Sequence, residues 1–535
     1  MKRKNLILTS LVLATSLSLS ACTTKKDNPV ESLKILQIKQ STSENYSFKT
    51  LDFNLGEKSI NLSSGKKLPY LLRGIMSVPQ NSSDEKLKPV FILHGCHDND
   101  NIKRFDTGFK YLTEYLAKNG YLAISLDVNA TYDWKFGDSN EYNAMPIVFE
   151  EHLNSLKDAN SGKKIYDVDL KNKVDFDNMA IIGHSTAGEI IFRIVEQQNK
   201  KGVNINTLLA IAPTVNTDTN FDVEVGDVSI LAGGLDGDVT DLPGVGIYNS
   251  LTDYNKQNIV AATILKNANH NYFNSEVEKN DAQMLGIDLK NQISRENQEE
   301  FLQNFTVDFL NASFKKKYGN TIYDIKSPTV NKINGYDAIT YLQTSKSKNL
   351  VDITKLDNFK ATNSVSNIEL LKESLSAPLD TAVGAYLPTG KDPYINLLKF
   401  KWEDKDTKLS FKPLVSDFSK FDNIEINALV DGSDELNKKN SSQSISVELV
   451  DNKGNKQIVK ISSDSNLLPY PNGEIENLDL GDKVLSIWNT ITPLSNIRIP
   501  LSLFEDINLS NITEVNLLFN DTDSGALMFE SFIID

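Results

Sequence analysis

The chain has 535 residues, with 56 Lys and Arg against 71 Asp and Glu, and a formal net charge of −15. That balance argues against a nucleic-acid partner, which needs a basic footprint, and against tight electrostatic adhesion to an anionic surface. Two cysteines exclude a disulfide framework, so stability must come from apolar cores, and the length allows two or three of them.

The N-terminus reads as a targeting segment. Met1 to Lys4 is positive, Leu6 to Leu19 is apolar but hydroxyl-bearing and too short for a comfortable span, and Leu19-Ser20-Ala21-Cys22 is a small-residue cleavage site ending in cysteine. This run resembles the lipobox of bacterial lipoproteins, which implies cleavage before Cys22, lipidation of its thiol and export to the extracytoplasmic face of the membrane. Residues 1–21 are then a signal peptide and 22–45 a lipid-anchored tether. No later stretch is long and apolar enough to cross a bilayer.

Strand patterns begin near Tyr46. Ser47–Leu55 alternates and Leu68–Val78 is a long extended run, which suits paired outer strands. Pro89–Leu93 is a continuous apolar run ending in His94-Gly95-Cys96-His97, as a central strand buried on both faces should be. Phe105, Phe109, Leu112 and Leu116 recur at helical spacing until Gly120, and Tyr121–Leu126 is the next buried strand. Glu141–Leu156 reads as a helix, Met179–Ile182 as a strand and Thr186–Gln198 as a helix. Strands follow at Leu208–Ala212, Val228–Ala232 and Val260–Leu265, and helices at Leu242–Lys256 and Glu296–Lys317. Such alternation over 46–320 predicts an α/β domain with a mostly parallel sheet flanked by helices, whose sites collect at the carboxyl ends of its strands.

That rule singles out Gly183-His184-Ser185-Thr186-Ala187, a sharp strand-to-helix turn holding one serine. It fits the G-x-S-x-G nucleophile elbow at Gly183 and Ser185, with Ala187 where the second glycine is expected. A serine hydroxyl needs a base to take its proton and a third group to orient that base. Of the five histidines, His184 lies inside the turn and His152 within a helix. His270 follows the last strand and comes last in the order serine, acid, histidine that this sheet type uses. The acid belongs after a strand between them. Asp236 in Leu235-Asp236-Gly237-Asp238 stands there, favoured over Asp238 by position, while the run lacks the further ligands of a Ca²⁺ loop. The backbone N–H groups of Thr186 and Cys96 are the expected donors to a developing oxyanion. Cys96 itself, with no separate base evident, reads as a small buried residue.

These segments resemble a group of secreted bacterial α/β-hydrolases related to chlorophyllase and polyester-hydrolase-like esterases. The likeness rests on His94-Gly95-Cys96-His97, on Gly183 to Glu189, on Asp236 to Val239 and on Ala268 to Asn274. It implies an α/β-hydrolase fold with Ser185 as nucleophile, Asp236 as acid and His270 as base. Thr186 and Ala187 depart from the residues frequent there. His97 and Glu189 recur in the group and, with Asp238, are candidates for supporting positions.

Residues 321–345 read as a connector. Beyond it, over 346–535, alternating strands such as Leu397–Trp402, Ser444–Val450, Gln457–Ile461 and Val515–Phe519 are separated by turn signals, which predicts an antiparallel β-sandwich. Its last part resembles the jelly-roll, carbohydrate-binding-like domains that follow the hydrolase core in the same group. A glycan partner is one implication. Trp402 and Trp488 read as core residues and not as a sugar platform, so a structural or docking role stands beside it. The whole then reads as a cell-surface serine hydrolase acting on a small or polymeric ester through an acyl-enzyme, with no cofactor and no metal. The alternatives are a weak or inactive surface binding protein on a hydrolase scaffold, and an amide or peptide hydrolase.

Overall fold

The computed structural model describes residues 30–39, 44–62, 65–80, 85–97, 103–132, 144–215, 219–221, 223–240, 242, 244–252, 259–343, 345–362, 367–374, 394–471, 473, 475–479, 484–488 and 492–535. The expected signal segment and Cys22 lie outside the described residues.

Two short strands come first, β1 (Val30–Ser32) and β2 (Leu36–Ile38). They are followed by β3 (Ser47–Asn61), β4 (Lys67–Gln80), β5 (Pro89–Leu93), α1 (Lys110–Lys118), β6 (Leu122–Leu126), α2 (Ala144–Asn160), β7 (Ala180–His184) and α3 (Thr186–Lys200). Then come β8 (Thr207–Ile211), β9 (Asp227–Gly233), α4 (Gly244–Thr252), β10 (Val260–Leu265), α5 (Arg295–Lys315), β11 (Val330–Ile333) and β12 (Tyr336–Gln343). Strands β2 to β12 form one eleven-stranded mixed sheet in the order β2-β11-β12-β10-β9-β8-β7-β5-β6-β4-β3. From β6 to β10 every neighbour is parallel, while β4 and β12 pair antiparallel at the two flanks.

The continuous apolar runs of the central strands have a simple cause. Successive side chains of a strand point to opposite faces, so a strand covered on both must be apolar throughout. Phe91, Leu93, Ile181, Leu208 and Ile230 enter a core shared with Phe149, Ile190 and Ile247 of α2, α3 and α4. Val90, Ile92, Ile182, Leu209 and Leu231 enter the opposite core with Leu112 of α1 and Phe301 and Phe305 of α5. Each such side chain taken fully out of water contributes about 1.5–3 kcal/mol before entropy is counted.

The C-terminal sheet region comprises β13 (Lys348–Asn349), β14 (Phe359–Thr362), β15 (Asn367–Ser374), β16 (Tyr394–Trp402), β17 (Lys408–Phe411), β18 (Asn423–Val430) and β19 (Ile445–Asp451). It continues with β20 (Lys456–Ile461), β21 (Ile475–Asp479), β22 (Val484–Trp488), β23 (Ser495–Pro500), β24 (Ile512–Leu518) and β25 (Gly525–Ile534). One sheet runs β1-β20-β19-β24-β17-β14 and the other β15-β16-β25-β18-β23, and side chains of both, among them Phe400, Leu409, Val447 and Phe529, build one core. Trp402 is fully buried against Phe519, with ring centroids 4.4 Å apart, so it is a core residue. The side chain of Trp488 lies outside the described residues.

Two expected boundaries change. Residues 30–38 are not tether: β1 pairs parallel with β20 and β2 with β11. Three-residue strands carry no periodicity to read, and their partners lie hundreds of positions away. Nor is 321–345 only a connector, because β11 and β12 extend the large sheet beyond β10. Arg498 of β23 ties this segment to the C-terminal region: its N–H donates to Thr329 Oγ1 at 2.7 Å and its Nη2 to the Ile325 carbonyl at 3.0 Å. Among the described residues no helix is long and apolar enough to cross a membrane.

Candidate active site

The strand β7 passes into α3 through a single residue. Ser185 has φ 58° and ψ −128°, a conformation that costs a non-glycine residue roughly 1–3 kcal/mol and persists only when its surroundings enforce it. They do: Ser185 N–H donates to the Ile211 carbonyl at 2.9 Å, and the Ser185 carbonyl accepts from Gly188 N–H at 2.8 Å. Gly183 is required because a Cβ there would sit 2.4 Å from the Ala187 carbonyl oxygen. Ala187, where the sequence pattern has glycine, sends its methyl into the core beneath α2 and α3, so the turn closes with alanine in place. Ser185 is 3 % exposed. The N–H of Thr186 is the first of α3, so it has no intrahelical acceptor.

The end of β5 lies directly over this serine. A Cβ on Gly95 would fall 2.5 Å from Ser185 Cβ, so glycine is what permits the approach. His94 orients the peptide that follows. Val128 N–H donates to its Nε2 at 3.0 Å, which leaves the ring hydrogen on Nδ1, and Nδ1 donates to the Gly95 carbonyl at 2.9 Å. In a planar trans peptide the N–H points opposite to the C=O, so this bond turns the Cys96 N–H away from the His94 ring. The Cys96 side chain is partly exposed. Asp127 is buried, yet His94 at 3.8 Å and the hydrogen bonds from Asn129 N–H and Arg73 Nε outweigh the burial and hold its carboxyl down at about 2.

Asp236 and His270 follow β9 and β10. His270 Nδ1 donates to Asp236 Oδ2 at 2.8 Å, and the other Asp236 oxygen accepts from the N–H groups of Asp238 and Val239 at 3.0 and 2.6 Å. The lone pair of His270 is thereby placed on Nε2, which makes no hydrogen bond among the described residues and lies 3.6 Å from Asp238 Oδ2. Burial disfavours the imidazolium, but Asp236, Asp238 and Asp281 outweigh it and hold the His270 pKa above its ordinary value. Asp238 is 55 % exposed and is the charged member of the group that reaches solvent.

The fold thus brings Ser185, Thr186, Cys96, Asp236 and His270 to the carboxyl ends of β7, β5, β9 and β10. His184 supports the junction: its Nε2 bonds to the His270 carbonyl at 3.1 Å, with the two rings 4.8 Å apart. His97 packs on Phe105 and on His184, and burial pushes its pKa well down. Glu189 is buried in the first turn of α3, where its carboxylate accepts from Thr214 Oγ1 at 2.7 Å.

Two supporting residues were not legible in the sequence. Gln298 of α5 grips the backbone of Asn269 from both sides, accepting at 3.1 Å and donating at 2.9 Å. Asp281 accepts from the N–H groups of His270, Asn271 and Gly237. Neither stands in a motif, and only the closure of loops upon one another gives them partners. Among the described residues no group of three or more His, Cys, Asp or Glu side chains is placed to hold a metal ion. A scan against protein-family models finds no match, and neither does a search of the curated proteins.

Proposed function

We propose that the protein is an exported, lipid-anchored serine hydrolase of the α/β-hydrolase fold that cleaves carboxylic esters, with a jelly-roll domain at its C-terminus. The observation that carries this is Ser185 in a strained turn at the end of a central parallel strand, with a buried His270–Asp236 pair at the ends of strands in the same sheet. Ser185 Oγ attacks the carbonyl carbon while His270 Nε2 takes its proton, and Asp236 holds the ring and favours the imidazolium that forms. The N–H groups of Thr186 and Cys96 receive the oxyanion. His270 then protonates the leaving alcohol, and a water activated by the same nitrogen releases the acid from the acyl-enzyme. The triad chemistry serves amides as well as esters.

One observation favours the alternative of a binding protein on this scaffold: His270 Nε2 faces Asp238 and has no hydrogen bond to Ser185. Such bonds are often long until substrate is bound. Labelling with a fluorophosphonate separates the two readings. The expected result is one adduct per chain, mapped to Ser185. An intact, folded protein that takes up no label would overturn the hydrolase.

The pH dependence of kcat/KM carries a second expectation. The base must be neutral to accept a proton, so activity falls as pH drops through the His270 pKa, which the three aspartates hold above 6.5. The acid limb should therefore lie above that of a free imidazole. Asp238→Asn removes one of these charges and should move the limb to lower pH, which a pH–rate profile of the two proteins checks.

A further inference from the structure

We infer that Asp281 is a positioning residue for this chemistry, clamping the loop that carries the acid to the loop that carries the base. The inference rests on the hydrolase reading above and extends it to a residue outside every motif of the sequence.

Asp281 opens a short 3₁₀ turn, Asp281–Leu285, and is 1 % exposed. Its Oδ2 accepts from His270 N–H at 3.0 Å and from Gly237 N–H at 2.8 Å, while Oδ1 accepts from Asn271 N–H at 2.9 Å. Gly237 follows Asp236 directly, and His270 is the residue that Asp236 holds. One carboxylate thus spans the backbone behind both partners of the 2.8 Å Asp236–His270 bond. The approach is close: a Cβ on Gly237 would lie 2.0 Å from the Asp281 carbonyl oxygen, so the glycine of Asp-Gly-Asp is what lets Asp281 dock. The turn is itself anchored, since Asn280 Oδ1 accepts from Asn269 Nδ2 and from Gln292 Nε2, both at 3.0 Å.

Side-chain chemistry explains why this position needs an acid. Three N–H donors converge on two oxygens, which only an acceptor-only group satisfies. An asparagine has one acceptor and would turn its NH₂ toward Asn271 N–H or toward the Gly237 and His270 pair. Asp281→Asn therefore keeps the size of the side chain and breaks one arm of the clamp. It also removes a charge that favours the His270 imidazolium, alongside Asp236 and Asp238 on the acid loop, with His184 and His97 facing the ring from β7 and the β5 turn.

The full chain is compared with Asp281→Asn and Gly237→Ala for fluorophosphonate labelling rate, kcat, KM and the acid limb of the pH–rate profile on a soluble p-nitrophenyl ester. Both variants are expected to remain folded and to lose roughly 10- to 100-fold in kcat and labelling rate, the usual scale for a displaced supporting group, with KM little changed. Both should also shift the limb to lower pH, Asp281→Asn by removing a charge beside His270 and Gly237→Ala by loosening Asp236 and Asp281 from it. A folded Asp281→Asn that labels at the rate of the unaltered chain with the same limb overturns the inference. If that variant does not fold, Gly237→Ala decides: an undiminished kcat overturns it and a loss in kcat at constant KM supports it. Absence of labelling in the unaltered chain overturns the hydrolase reading, and the inference with it.

Discussion

Replacing His270 with alanine is expected to lower kcat by about six orders of magnitude, and Ser185→Ala by about as much, while the double variant should be no slower than either. On the proposed mechanism nucleophile and base act as one unit. Without Nε2 the Ser185 proton loses its proposed acceptor, and His184 is committed to the His270 carbonyl and His94 to Val128 and Gly95. Without the hydroxyl the imidazole has nothing to deprotonate. Asp236→Asn belongs to the same unit but leaves a ring in place, and should cost roughly 10⁴-fold by presenting the wrong tautomer to Ser185. Ser185→Ala and Asp236→Asn should unfold near the temperature of the unaltered protein, whereas His270→Ala and the double variant leave the buried Asp236 carboxylate without its partner and should unfold lower. Steady-state kinetics on a p-nitrophenyl ester measure the series. Additive losses would mean that Ser185 and His270 do not share a step.

The second large effect is on stability and lies far from the site. Arg498 sits buried where β23 meets the segment before β11. Its Nη2 is 2.9 Å from Asp535 Oδ2 and its Nε 3.8 Å from Glu425 Oε2, and burial pushes both carboxyls above their ordinary range. Arg498→Ala removes the one cation of this group together with the bond to the Ile325 carbonyl, and should destabilise the fold by about 3–5 kcal/mol. Carboxyls whose folded pKa is raised favour the folded state when protonated, so the loss should be greatest at high pH and shrink as pH falls through those pKa values. Glu425→Gln, which removes a carboxyl that burial already resists ionising, should cost little. Denaturant titrations of the three proteins across pH test this, and a loss under about 1 kcal/mol for Arg498→Ala at alkaline pH would show that the arginine is dispensable.

How far these features could be read in the sequence varies with the range of the interaction that makes them. Pro89–Leu93 and Val260–Leu265 are legible to the residue because double-sided burial demands a nearly continuous apolar run, broken only by the small Thr263 in the second. The helices α3 and α5 announced themselves by spacing and differ from expectation only at their ends. Ser185, Asp236 and His270 each follow the end of a central strand, β7, β9 and β10 in turn, as their order along the chain predicts. By contrast β1, β2, β11 and β12 fall in the expected tether and connector, since strands this short or mixed have no character until a partner covers them. Asp281 and Gln298 were invisible for the same reason, being polar residues in polar stretches whose partners are backbone groups of other loops.

The sequence by itself determined the alternation of strands and helices, the sheet region that follows, and which serine, aspartate and histidine lie at strand ends, because all of these follow from periodicity and order along one chain. Only the tertiary structure decided that Ala187 fits the turn, that Asp236 and not Asp238 holds His270 Nδ1, and that Asp281 clamps the two loops. Those outcomes depend on contacts of about 3 Å between segments remote in sequence, and such contacts exist only once the loops have closed on each other.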